Sequence, residues 1–173
     1  MRKVVTTDSK TVQIKIFPQR LLQPDTAEKV LNEIDKVKGV IRMVLGGKNL
    51  PRKVMCGPGT GADVNHPDRQ IINVGGQAFE LQIIVGDIIV EVEDESNLDD
   101  LRKACECGLP FPFEFKRGFF LKKKATLSDY GKYGFKSRTD ERINLDDDRL
   151  LGLMDPHAKA EDKLCIIGTE QEK

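Results

Sequence analysis

The sequence predicts an α+β fold of the ferredoxin-like, split βαβ kind. An antiparallel sheet carries two helices on one face, with an extra hairpin and a C-terminal extension added. Three observations lead there. Apolar residues alternate along 12–16, 83–92 and 113–121, as half-buried strands require. Two stretches at helical spacing, 27–37 and 98–105, stand between them. Glycine pairs at 46–47 and 75–76 interrupt the remaining apolar runs.

Taken in order, residues 1–11 are polar and without period and read as a flexible N-terminus. Val12, Ile14 and Ile16 alternate with Gln13 and Lys15 up to Pro18, which ends the first strand. Asp25 is placed to cap a helix, with Glu28 at the spacing of a capping box. Ala27, Val30, Leu31, Ile34 and Val37 share its apolar face, and Gly39 is suited to stop it. Residues 40–45 form a short apolar strand that Gly46-Gly47 breaks.

A long connection, 46–69, comes next. Residues 71–74 and 79–81 around Gly75-Gly76 then predict a tight hairpin. The alternation slips at Gly86-Asp87, which fits either a bulge or a second turn. Ser96 or Asn97 caps a second helix that turns Leu98, Leu101 and Cys105 inward. Asp99 and Asp100 suit the positive end of its dipole, and Gly108 and Pro110 stop it. The last strand places Phe113, Phe115, Phe119 and Leu121 on one face, with Arg117 breaking the pattern. The α+β domain thus spans 12–125, and 126–173 is a polar C-terminal extension with one apolar island at 150–154.

Composition narrows the function. With 28 basic and 28 acidic residues the formal net charge is zero, which argues against a general nucleic-acid or membrane-surface binder. No apolar run is long enough to span a bilayer and no signal-peptide pattern is present, so the expected location is the cytoplasm. There the four cysteines, Cys56, Cys105, Cys107 and Cys165, are expected as reduced thiols.

The candidate site is the loop holding Arg52, Lys53, Gly57, Pro58, Gly59, Gly61, Asn65, His66, Pro67, Asp68 and Arg69. Its prolines and glycines exclude a helix or a central strand. Loops of this length inside a compact domain are usually functional or disordered. The phosphate-loop pattern is absent, although backbone N–H groups at Gly59 and Gly61 with Arg52, Lys53 and Arg69 could hold an anion. His66 has no cysteine or histidine at a metal spacing, and reads as a loop anchor. Cys105-Glu106-Cys107 lacks a second pair, so Cys105 is assigned to the core and Cys107 to no role. Lys116, Arg117 and 122–124 make a basic stretch around Phe119 and Phe120, read as a charged sheet edge. Asp146-Asp147-Asp148 and His157 are assigned to solvent, and no nucleophile is paired with a base. No metal or cofactor is called for. A second candidate contact is the aromatic segment Tyr130, Tyr133 and Phe135.

Several stretches together carry a family resemblance. They are 14–22 (IKIFPQRLL), Gly57-Pro58 leading into 64–69 (VNHPDR), 88–93 (IIVEVE), Leu109-Pro110-Phe111 and Ser128-Asp129-Tyr130. In this order they resemble the operon protein D family of methyl-coenzyme M reductase, over about residues 12–135. The resemblance implies an archaeal accessory protein of methanogenesis or anaerobic methane oxidation. It would bind reductase subunits and assist their assembly, maturation or activation, as an assembly factor or chaperone without catalytic residues. The alternative is a small-molecule module that binds or delivers the nickel tetrapyrrole coenzyme through the loop's N–H groups and basic side chains.

Overall fold

The computed structural model describes residues 11–121, and the backbone of 163–167. The main sheet has five strands, in the spatial order 113–118, 12–18, 83–92, 40–49 and 163–167, with every neighbouring pair antiparallel. Its strands are β1 (Val12–Pro18), β2 (Val40–Asn49), β5 (Ile83–Val92), β6 (Phe113–Gly118) and β7 (Lys163–Ile167). Helices α1 (Pro24–Asp35) and α2 (Leu98–Gly108) follow β1 and β5. Strands β3 (Ile71–Val74) and β4 (Gln77–Glu80) form a separate two-stranded sheet inserted between β2 and β5. The order β6-β1-β5-β2 with two helices is the split βαβ arrangement that the sequence predicts.

The alternating residues explain the layers. Ile14, Ile16, Met43, Leu45, Ile88 and Val90 face the helices and are buried against Val30, Leu31, Ile34, Leu101 and Cys105. The hairpin adds Ile72 and Val74 to the same core. Each such side chain contributes roughly 1.5–3 kcal/mol by leaving water. The opposite face has its own small cluster, Val44, Ile89 and Leu121 with Phe120 beside them.

Several local expectations are corrected. Helix α1 is capped by Gln23, with Pro24 at the first helical positions, and Asp25 lies in the first turn without a capping bond. Proline's fixed φ makes it a good starter there, and Asp25 meets the dipole instead. The helix ends at Asp35, so Val37 lies beyond it, and Gly39 takes φ +80° in the turn that leads into β2. Helix α2 has Asn97 as its cap, one of the two residues expected there, but without a side-chain bond and at the end of a 3-10 turn over Glu95–Asn97.

Gly46-Gly47 does not break β2. The strand runs on to Asn49 with a register shift between the two glycines, and Gly86 is the extra residue opposite. The slip at Gly86-Asp87 is therefore a bulge inside one long strand. Glycine is required there because a Cβ on Gly47 would overlap the Ile84 carbonyl oxygen.

Strand β6 stops at Gly118, so Phe119 and Leu121 do not extend its apolar face. Phe119 is 88% exposed, while Leu121 turns onto the far face of the sheet. Gln13 directs that turn. Its side-chain oxygen accepts from the N–H of Phe120 (2.7 Å) and Leu121 (2.8 Å), and its amide donates to the Leu121 carbonyl (3.0 Å). Strand β7, inside the segment read as a polar extension, pairs Arg42–Gly46 of β2 with residues 163–167.

Candidate functional site

The long connection is a structured finger. Val54 donates to the Ala62 carbonyl (2.9 Å), Gly61 to Val54 (2.9 Å) and Val64 to Arg52 (2.8 Å). Lys53 and Asp63 are thereby paired as a short antiparallel bridge. The tip closes on itself: the Thr60 hydroxyl and N–H both donate to the Gly57 carbonyl, at 2.6 and 3.1 Å. Gly57 and Gly61 sit at φ +94° and +88°, conformations that other residues rarely adopt. Pro58 and Gly59 are exposed between them, and Met55 beside them is 67% exposed.

The second half of the loop is anchored by His66. The Asp68 N–H donates to His66 Nδ1 at 3.2 Å, and the Arg69 N–H to the His66 carbonyl at 3.1 Å. Asp68 lies 3.7 Å from the same ring nitrogen. Gln70 donates to the Pro67 carbonyl at 2.8 Å, while Asn65 is exposed. Among the described residues no group of three His, Cys, Asp or Glu side chains is placed to hold a metal ion.

A residue absent from the sequence reading closes the site. Glu80, at the end of β4, accepts from Arg52 on the finger's first leg and lies 3.5 Å from Arg69 at the end of the second. Arg69 also donates to the Pro51 carbonyl at 3.2 Å. One carboxylate thus fastens both legs to the hairpin. The hairpin in turn is fastened to α1, because Asn32 donates to the Asn73 carbonyl (2.8 Å) and accepts from the Gly75 N–H (3.2 Å). No local motif announces Glu80 or Asn32. Glu80 reaches Arg52 across 28 residues and Asn32 reaches Asn73 across 41.

Of the predicted site residues, the structure brings Arg52 and Arg69 together at Glu80 and holds His66, Pro67 and Asp68 in the turn beside them. It puts Gly57, Pro58, Gly59 and Gly61 at the tip. Lys53 is exposed along the first leg. Tyr130, Tyr133 and Phe135 lie outside the described residues, as do Lys122 to Lys124, the 146–148 aspartates and His157. Lys116 and Arg117 are paired with Glu114 (2.6 Å) and Glu95. Cys56, Cys105 and Cys107 are free thiols; Cys105 is buried, as assigned from sequence, and Cys107 is exposed.

Fold and finger together define a split βαβ domain that presents a preorganised, hydrogen-bonded loop. Its described helices are too short and polar to cross a membrane. A family model for methyl-coenzyme M reductase operon protein D matches residues 13–163. The chain is 48% identical over 162 residues to the operon protein D of Methanosarcina barkeri, covering 94% of this chain and 88% of the relative. It is 40% identical over 161 residues to the reductase II operon protein D of Methanocaldococcus jannaschii, covering 91% and 92%. To the reductase I operon protein D of Methanothermobacter marburgensis it is 38% identical, covering 93% and 99%. The chain belongs to the methyl-coenzyme M reductase operon protein D family.

Proposed function

We propose that this chain is a non-catalytic accessory protein that binds methyl-coenzyme M reductase and assists its assembly, maturation or activation in the cytoplasm. The observation that carries the reading is the family membership. Relatives matched over nine-tenths of this chain are named for the operon of that reductase. The fold supports a binding role, because the finger is held in one conformation before any partner arrives. Such preorganisation lowers the ordering cost of association.

The finger, residues 52–69, and the segment bearing Tyr130, Tyr133 and Phe135 are the proposed contacts. The coenzyme reading is weaker for a specific reason. Arg52 and Arg69, two of its three proposed cations, are already engaged by Glu80.

The test is affinity purification of the tagged full chain from its native cell under anoxic conditions. Reductase subunits are expected in the eluate well above an untagged control. Their absence would overturn the reading. A variant lacking residues 54–62 that keeps its circular dichroism spectrum is expected to lose most of the bound reductase. Full retention would move the contact elsewhere. Titration with the nickel tetrapyrrole coenzyme checks the alternative, and no change in its spectrum is expected.

A further inference from the structure

We propose that the outer edge of β4 is a docking site for an extended strand of the reductase partner, which adds to the β3–β4 hairpin as a third strand. This rests on the partner reading given above and names where main-chain recognition occurs.

The hairpin's hydrogen-bond parity fixes which groups point outward. Val74 faces Gln77 across the Gly75-Gly76 turn and Ile72 faces Phe79, while the Leu81 N–H donates to the Gln70 carbonyl. Residues 77 and 79 therefore spend their N–H and C=O groups on β3, and the Leu81 N–H is taken by Gln70. Those of Ala78 and Glu80 point the other way. On β3 the outward carbonyl of Asn73 is taken by Asn32. On β4 nothing among the described residues bonds the main chain of Ala78 or Glu80, and Ala78 is exposed. Two donor and acceptor pairs thus stand in line along a strand edge that no described residue pairs with.

Proteins normally blunt such an edge with lysines, proline, a bulge or exposed charge. Strand β6 follows that rule, with Glu114, Lys116 and Arg117 along it. Strand β4 does not. Its sequence is Gln-Ala-Phe-Glu, and its one charge is drawn toward Arg52 and Arg69. The cross-strand register also puts Ala78 and Glu80 on the same face as Ile71, which is 68% exposed. A small residue at 78 leaves room beside Ile71. Half-buried Phe79 lines the other face.

These features define the occupant. It is an extended segment whose main chain satisfies Ala78 and Glu80, with one apolar side chain seated against Ala78 and Ile71.

The test is hydrogen exchange on the full chain, alone and with purified reductase. The Ala78 and Glu80 amides should exchange freely in the chain alone and at least tenfold more slowly in the complex. Ala78→Pro removes one outward donor without touching the hairpin's own ladder, and should weaken reductase binding tenfold or more. Ala78→Lys should do the same by charging the edge, whereas Ala78→Ser, which keeps the N–H, should bind normally. Normal binding by both Pro and Lys variants, or unchanged exchange at these amides in a formed complex, overturns the strand proposal alone. Concentration-dependent protection without reductase would assign the edge to a second copy and also overturn it. If no complex forms at all, the partner reading falls first and this one with it.

Discussion

Arg42 of β2 and Glu91 of β5 meet at 2.6 Å with both side chains almost wholly buried, on the sheet face turned away from the helices. Gln13 lies opposite Glu91 on β1 and is buried as well. Removing one member of such a pair strands the other charge away from water, which typically costs about 3–5 kcal/mol. Arg42→Met should therefore lower stability by about that much, because it leaves Glu91 buried without its cation. The double change Arg42→Met with Glu91→Leu should be markedly less harmful, since neither charge then needs a partner. Urea denaturation of the four proteins of this cycle measures both effects.

The course of the main sheet was legible because period-2 and period-3.6 patterns are local. Ile14, Ile16, Val90 and Val92 announce their face by alternation, and Val30, Leu31 and Ile34 by helical spacing. The buried ion pair was not legible. Glu91 and Arg42 stand at outward positions of their strands, on the sheet face that carries the cluster with Leu121. The same holds for β7, a five-residue strand whose pairing with β2 no neighbouring turn announces. The glycine pair at 46–47 has the sequence signature of a break, because a bulge differs from a turn only in its opposing strand. For the finger, glycine and proline content marked an irregular loop and His66 as its anchor. The Glu80 clasp depends on tertiary proximity and left no local trace.

Gly108 and Val30 set the distance between the two helices. A Cβ built on Gly108 would lie 2.6 Å from the Val30 Cα, a backbone atom that cannot swing aside. Gly108→Ala gains up to about 1 kcal/mol in helix propensity. Overpacking against main chain costs more, typically about 1–3 kcal/mol. The substitution should therefore destabilise the protein, with a lower thermal midpoint. A rise in the midpoint would show that the helices separate freely.

Cys105 makes stability depend on alkaline pH. Burial, with the Glu106 carboxylate adding to it, pushes its thiol from 9.0 up to about 12. The folded state holds this proton more tightly than the unfolded state. Its stabilising share is thus fully present below pH 9 and is lost as pH rises toward about 12. Denaturation midpoints should fall across that window, and Cys105→Val should fall less steeply. In native protein at pH 8, iodoacetamide should label the exposed Cys56 and Cys107 while sparing Cys105. Rapid labelling of Cys105 would mean that the helix layer opens readily.

Glu80 governs the finger more than it governs the fold. Its carboxylate holds Arg52 and Arg69, yet the Arg52 side chain is 64% exposed and solvent screens much of that attraction. Glu80→Gln should change global stability by only about 1 kcal/mol or less. Locally the same loss is large, because the finger's legs have few other ties to the hairpin. Opening that becomes easier by about 1 kcal/mol is about fivefold more frequent. Tryptic cleavage after Arg52 and Lys53 should accelerate by about that factor in the variant, while cleavage elsewhere is unchanged. Arg69→Gln should act more strongly than Arg52→Gln. Arg69 is only 19% exposed and also donates to the Pro51 carbonyl, so its loss frees both legs at once. Equal effects of the two would show that the clasp works by charge alone.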